Sequence, residues 1–277
     1  MSDVKRLADK SVWVTGSSRG IGRVVAEHLA SLGARVAIHG TSPTSNRAFN
    51  KAPSLDAVAR AIQASGATDV LPVWGDLSDE ESVTRLADEI RREFGRIDIL
   101  VNCAGGDIGA QGPMGANAGK PALNDAVFIS AEDTRTIINR NLMTCILTCQ
   151  AVVPEMMERK EGWIVNIGSI AGLFGRESGA IYGAAKAAVH SYTRALAAQL
   201  RPYNVYANCV APGPIMTPRF AASRPINEEK NVAGGTLDRY GASSEIATAV
   251  EFFVTDSSSY VTGQVLRVDG GGQLWPA

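Results

Sequence analysis

The stretch Ser11-Val-Trp-Val-Thr-Gly-Ser-Ser-Arg-Gly-Ile-Gly22 decides the fold. Its first five residues, Ser11–Thr15, are a short β-branched apolar run, the pattern of a strand buried on both faces. Gly16, Gly20 and Gly22 follow, and from Gly20 to Leu32 the apolar residues recur at helical spacing. Glycines allow a tight turn and a close backbone approach, while the helix start offers free N–H groups and the positive end of its dipole. A pyrophosphate is the ligand such a turn suits. Gly16, Ser18, Arg19, Gly20, Ile21 and Gly22 are therefore the first candidate binding residues.

Outward from this unit, strands and helices alternate. Strands are predicted at Ala34–Ile38, Val70–Trp74, Ile97–Val101, Gly162–Ile167, Val205–Val210 and Val265–Val268. Helices are predicted near Leu55–Ser65, Asp79–Phe94, Glu132–Arg159, Gly179–Arg201 and Ser243–Thr255. Such alternation makes an α/β protein, a doubly wound parallel sheet of about seven strands with helices on both faces. No linker, repeat or charge block divides residues 1–277, which read as one domain. Residues 105–127 and 212–240 lack periodicity, and both follow a strand's C-terminal end, where open α/β sheets bind ligands. They are expected to form substrate walls. Leu173, Phe174, Ile215, Met216 and Phe220 would supply apolar contacts; Asp107, Gln111 and Asn117 would supply polar ones.

The chain of 277 residues carries 27 Lys+Arg against 28 Asp+Glu, and this balance argues against a nucleic-acid partner. With 45% hydrophobic residues it can bury a sizeable core. No apolar run approaches the roughly 18 residues of a membrane span, and the first ten residues hold no signal-peptide core. The expectation is a soluble, cytoplasmic protein with no membrane partner. Cys103, Cys145, Cys149 and Cys209 include no C-x-x-C pair, and Cys145 and Cys149 would share one helix face in the core. No metal site is expected. His28, His39 and His190 are scattered and read as structural.

Tyr182 and Lys186 stand four apart, hence on one helix face. A phenol with a reference pKa near about 10 exchanges protons poorly at neutrality, and a nearby ammonium stabilises its anion. Ser169 lies 13 residues before Tyr182, just past a strand end. Its hydroxyl should converge with the Tyr–Lys pair at the sheet's carboxyl edge. Where a dinucleotide site selects NAD, an acid usually ends the second strand and bonds the ribose 2′-hydroxyl. Here no acid occurs between Glu27 and Asp56. The missing carboxylate removes the repulsion against a 2′-phosphate, to which Thr41 and Ser42 can donate, with Arg47 as a further possibility. This favours NADP(H), with NAD(H) as the alternative.

The spacing T-G-x-x-x-G-x-G resembles that of the short-chain dehydrogenase/reductase family, of the compact ketoacyl-reductase-like type. The resemblance covers nearly the whole chain through independent motifs in order. Asn102-Cys-Ala-Gly105 is similar to the family's N-A-G element, and Asp76-Leu77 to its adenine-contacting acid and neighbour. Pro212-Gly213-Pro-Ile215-Met-Thr217 resembles the turn beside the nicotinamide, and Val261–Gly271 the closing segment. Arg19 resembles the basic residue that NADP-preferring relatives use. The resemblance implies a Rossmann fold and cofactor contacts at Asp76, Leu77, Asn102, Ala104, Gly105, Pro212, Gly213, Ile215 and Thr217, besides Tyr182 and Lys186. It also implies a catalytic set. Tyr182 is the acid or base, and Ser169 bonds the substrate oxygen. Lys186 supports the phenolate and the nicotinamide ribose. Asn141, rather than its neighbour Asn139, holds a helix irregularity and a proton-relay water. The expected reaction is hydride transfer between NADP(H) and a ketone or secondary alcohol. An NAD-dependent polyol or sugar dehydrogenase and a non-catalytic cofactor-binding regulator are the alternatives. The regulator would be expected to lose Tyr182 or Lys186, and a sugar-nucleotide epimerase would show T-G-x-x-G-x-x-G. Relatives pair the two helices Glu132–Arg159 and Gly179–Arg201 across a two-fold axis. The small residues Ala184, Ala187, Ala188, Ala195, Ala197 and Ala198 fit that use, so a homotetramer is expected.

Overall fold

The computed structural model describes residues 6–45, 49, 52–64, 69–232 and 234–274. Seven strands, β1 (Ser11–Val14), β2 (Arg35–Gly40), β3 (Val70–Trp74), β4 (Ile99–Asn102), β5 (Gly162–Ile167), β6 (Val205–Pro212) and β7 (Val265–Val268), make one sheet. Every pairing is parallel, in the order β3-β2-β1-β4-β5-β6-β7. The chain reverses its direction of travel across the sheet between β1 and β4, which opens a crevice at their carboxyl ends.

The helices are α1 (Gly20–Ser31), α2 (Leu55–Ala64), α3 (Glu80–Phe94), the single turn α4 (Ala116–Gly119), α5 (Ala131–Ile138), α6 (Thr144–Arg159), α7 (Ala180–Leu200), α8 (Pro218–Ala222) and α9 (Ser243–Phe253). Each strand of the sheet centre feeds two cores. Val12 and Val14 point into one with Leu29, Ile62, Val250 and Phe253, while Trp13 enters the other with Leu86, Ile90 and Val152. Burial on both faces is why these strands read as continuous apolar runs rather than alternating ones. α3 starts where the Asp79 carboxylate accepts from the Ser82 N–H at 2.9 Å, and stops at Gly95, whose φ is +84°.

The long helix expected over Glu132–Arg159 is instead α5, a π-helical turn at Asn139–Met143, and α6. The Thr144 N–H reaches back five residues to the Asn139 carbonyl. The Asn141 side-chain amide takes the Ile137 carbonyl at 2.9 Å, the acceptor that its own backbone N–H would use in a regular α-helix. Side-chain substitution for one backbone bond lets the helix widen, and such turns concentrate at functional sites.

The segment 105–127 is irregular but tethered. Asn124 donates to the Asp107 carboxylate at 2.8 Å, and its carbonyl accepts from the Gly179 N–H at the start of α7. The segment 212–240 contains α8 and a turn at Glu228–Lys230. All four cysteines are free, with Cys145 and Cys149 buried. Among the described residues no helix is long and apolar enough to cross a membrane, and no cluster of metal-ligating side chains occurs.

Candidate functional site

A cleft of about 1220 Å³ lies over the carboxyl ends of β1, β4, β5 and β6. At its floor the glycine turn is shaped by close approach. Gly16 has φ +64°, and a Cβ there would sit 2.7 Å from the Ala104 Cα; a Cβ on Gly22 would meet the Gly16 carbonyl oxygen at 2.6 Å. Neither site tolerates a side chain. The Thr15 hydroxyl accepts from the Cys103 and Ala104 N–H groups at 3.0 Å each, tying the end of β1 to the end of β4. The result is a cradle of backbone that a dinucleotide pyrophosphate fits.

His39 props this turn from below. Its Nε2 bonds the Gly75 carbonyl at 3.1 Å, so Nε2 carries the proton and Nδ1 accepts the Gly16 N–H at 3.1 Å. Burial holds the imidazole neutral, with its pKa pushed down to about 4. His190, whose Nε2 accepts the Ser169 N–H at 3.4 Å, is likewise pushed by burial down to about 4. Both folded values lie below the free value, so between about pH 4 and 6.5 the unfolded chain binds more protons. The stabilisation is present above pH 6.5 and is lost on acidification through that window. Each imidazole is expected to remove about 2 kcal/mol between pH 7 and pH 5. Urea unfolding at the two pH values should therefore show a smaller loss for His39→Gln than for the wild type; equal losses would contradict this account.

Ser169, Tyr182 and Lys186 all line the cleft. Ser169 ends its strand segment in extended conformation, and its Oγ accepts the Ala171 N–H at 3.1 Å while its own hydroxyl hydrogen stays free to donate. Lys186 is 5% exposed; its Nζ donates to the Ile167 carbonyl at 2.8 Å and lies 5.8 Å from the Tyr182 ring centroid. One helix thus presents phenol and ammonium together, as the spacing required.

Asn141 does not line the cleft but sits directly behind it, 1% exposed. Its Oδ1 accepts from the Gly106 N–H at 2.8 Å and its Nδ2 donates to the Gly106 carbonyl at 2.9 Å. A Cβ on Gly105 would strike that Oδ1 at 2.6 Å, and Gly105 has φ +151°. Asn139, the neighbour with which it could be confused, is exposed at the cleft's edge.

Of the candidate cofactor-binding residues, all line the cleft except Ser42 and Asn102. Ser42 offers its carbonyl to the Ser45 N–H in the turn after β2. Asn102 lies under the floor, in a buried ladder. It donates to the Asn166 Oδ1 at 2.9 Å and accepts from Thr148, and Asn166 donates to Thr193. That ladder joins β4, β5, α6 and α7 beneath the chemistry. Arg47 falls outside the described residues. Among the expected substrate walls, Phe174, Ile215, Phe220 and Asp107 reach the cleft, whereas Leu173, Met216, Gln111 and Asn117 do not. Asn117 is taken up in the left-handed backbone of α4.

The sequence reading missed His39, Thr44 and Ser45 beside the turn, and Lys120, Arg140, Arg176, Arg219 and Arg224 along the walls. His39 had a signal, since it directly follows the expected strand Ala34–Ile38 at the edge where ligands bind. The five cations come from four separated segments, so no charge run marked them. The Cys103 thiol also reaches the cleft, and burial raises its pKa to about 11, which keeps it protonated and unreactive.

A family model described as Enoyl-(Acyl carrier protein) reductase matches residues 16–273. The chain is 37% identical over 277 residues to a cyclohexanol dehydrogenase of Rhodococcus sp. (strain TK6), covering 98% of each. It is 35% identical over 262 residues to the 3-oxoacyl-(acyl-carrier-protein) reductase of Escherichia coli (strain K12), covering 95% of this chain and 96% of the relative. Among solved structures, a 7α-hydroxysteroid dehydrogenase complexed with NADH and 7-oxo glycochenodeoxycholic acid superposes with a TM-score of 0.83 at 28% identity, over 98% of this chain and 97% of that one.

Proposed function

The chain belongs to the short-chain dehydrogenase/reductase family of oxidoreductases, and from that premise we propose that it transfers a hydride between NADP(H) and a ketone or secondary alcohol. One observation carries the proposal: Tyr182 and Lys186 share a face of α7 and line the same cleft as a Ser169 hydroxyl whose hydrogen is free to donate. In the reducing direction the Tyr182 Oη gives its proton to the carbonyl oxygen, and in the oxidising direction it takes one from the alcohol. Ser169 donates a hydrogen bond to the same oxygen, where charge develops as the carbonyl is reduced. Lys186, anchored on the Ile167 carbonyl, sets a positive charge beside the phenol and stabilises its anion. Asn141 holds Gly106 and the widened helix, and so fixes the wall next to Lys186. The nicotinamide, when bound, supplies or accepts the hydride.

The cradle residues Gly16, Ser18, Gly20, Ile21 and Gly22 would hold the pyrophosphate, with Asp76 and Leu77 at the adenine end and Ala104, Gly105, Pro212, Gly213, Ile215 and Thr217 towards the nicotinamide. For the cofactor's identity, the lack of an acid after β2 and the position of Arg19 and Thr41 in the cleft favour the 2′-phosphate. A second reading, NAD(H), is favoured by two solved neighbours whose descriptions name NADH and NAD. A regulator without catalysis is disfavoured because Tyr182 and Lys186 are both retained. A panel of ketones and secondary alcohols, polyols included, with each nicotinamide cofactor tests the reading. Reduced-nicotinamide absorbance should change with NADPH or NADP, and silence across the panel would overturn it.

The protein is further expected to act in the cytoplasm, whose reducing conditions suit four free thiols, and as a homotetramer. Ala184, Ala187, Ala195 and Ala198 are exposed along α7 and leave room for a partner helix; Ala197 is 3% exposed and belongs to the chain's own core. Light scattering at micromolar concentration should give about four times 29.2 kDa; a monomeric mass would refute the assembly.

A further inference from the structure

The chain as a whole is nearly neutral, yet its cleft is strongly positive. Seven cationic side chains line it against two carboxylates, Asp76 and Asp107. Lys186 belongs to the Tyr182 pair, and the other six fall into two groups that Arg219, which acts on both Arg19 and Arg140, connects. Arg19 belongs to the glycine turn, and Asp76 acts electrostatically on Arg140, which places that pair towards the adenosine and pyrophosphate. There the charge has an evident purpose in neutralising the phosphates of the cofactor. The second group, Lys120, Arg176, Arg219 and Arg224, converges from three segments: the loop after β4, the approach to α7, and α8 with its end. Tyr182 acts on both Arg219 and Arg224, which sets these two on the side of the reacting end, and Arg224 and Arg176 act in turn on Lys120.

Among the described residues only the Asp107 carboxylate offsets it, acting on Lys120, Arg219 and Arg224, so four cations face one acid. None of the four takes part in an ion pair among the described residues. Arg219 donates to the Asp107 backbone carbonyl and straps α8 across to the loop after β4, while its Nε is buried without a partner. Asp107 is the one acid at this end; Asn124 orients its carboxylate, and its single charge leaves the four cations in excess. The Arg224 guanidinium lies over the Phe220 ring at 4.2 Å, which orients it at the cleft without discharging it. Like charges gathered in a partly desolvated pocket cost free energy that an entering anion would remove. Burial and the neighbouring arginines accordingly hold Lys120 below its usual range.

We propose that the substrate is itself an anion, a small hydroxy or keto acid whose carboxylate or phosphate is held by Lys120, Arg176 and Arg224 while its reacting carbon faces Tyr182. This rests on the dehydrogenase reading above and adds the substrate's chemical class to it. Arg176 and Arg224 are specificity-determining residues that touch the substrate's far end and take no part in the proton transfer.

The test uses the wild-type protein with NADP and, in parallel, NAD, and three matched alcohol series of equal chain length: short 3-hydroxy acids, hydroxyalkyl phosphates, and neutral secondary alcohols. At least one anionic series is expected to exceed the neutral one in kcat/KM by about tenfold or more, the advantage shrinking as NaCl is raised. The better series tells carboxylate from phosphate. Arg224→Gln and Arg176→Gln should each raise KM for the anion by about ten- to a hundredfold, the worth of a charge-assisted hydrogen bond. The loss should fall on KM more than on kcat, and the anionic-over-neutral preference in kcat/KM should collapse towards one in each variant. Equal kcat/KM for neutral and anionic alcohols, variants indistinguishable from wild type, or turnover confined to acyl thioesters of a carrier protein would each overturn the proposal. Should no substrate change the nicotinamide absorbance, the dehydrogenase reading fails separately. Calorimetric titration with glutarate and inorganic phosphate then decides the anion site: saturable binding that weakens in Arg224→Gln supports it, and no binding, or binding unchanged in Arg224→Gln, refutes it.

Discussion

Tyr182→Phe is expected to lower turnover by at least about a hundredfold while leaving the fold and cofactor affinity close to wild type. The substitution removes one oxygen and keeps the ring, so the packing of α7 is undisturbed. Lys186 keeps its 2.8 Å bond to the Ile167 carbonyl and remains available to a ribose. What disappears is the group that gives or takes the substrate proton, and loss of positioned general acid–base catalysis costs about 10²–10⁴ in rate. Nicotinamide absorbance under saturating cofactor measures the effect, with cofactor titration as the control. Turnover within a few-fold of wild type would take Tyr182 out of the reaction.

The second large effect falls on cofactor choice. Arg19 caps α1 in extended conformation, lies in the cleft beside Thr41, donates to the Ser45 carbonyl and faces the Phe49 ring at 5.6 Å. It forms no ion pair among the described residues, and an arginine–phosphate hydrogen bond is worth about 1.5–3 kcal/mol, or about ten- to a hundredfold in affinity. Arg19→Ala should therefore weaken NADPH by that factor and leave NADH, which lacks the 2′-phosphate, almost unchanged. Thr41→Asp should move preference further towards NADH by repelling the phosphate and bonding the ribose. Equilibrium titration of both cofactors decides it: equal weakening of the two, or a wild type that prefers NADH, would overturn the NADP assignment. Ser169, Tyr182 and Lys186 would keep their roles in either case.

Much of the fold is legible in the chain because it is encoded over short distances. The apolar run Ser11–Val14 and the helical spacing after Gly20 require contacts only with their own faces, and each period is visible within a dozen residues. The same locality makes Tyr182 and Lys186 readable, since a four-residue step on a helix is a distance in space. Gly16 and Gly22 are also readable, because a tight turn needs them wherever it occurs.

The remainder depends on which segments meet, and spacing does not encode that. A uniform helical pattern runs through residues 139–143; the family resemblance puts an irregularity at Asn141, and the bonds of its amide to the Ile137 and Gly106 carbonyls give the physical reason that periodicity lacks. Asn102 carries a binding motif's position, but β5 and α6 bring Asn166 and Thr148 to its amide and bury it under the floor. Arg176 and Arg224 are about fifty residues apart and unremarkable in sequence. The loop tethers at Asn124 and the Arg219 strap bring them to one wall. Periodicity and turn chemistry, being local, determined the doubly wound sheet and its phosphate turn. The charge of the substrate end is a sum over side chains distant in sequence, so only the tertiary structure decided it.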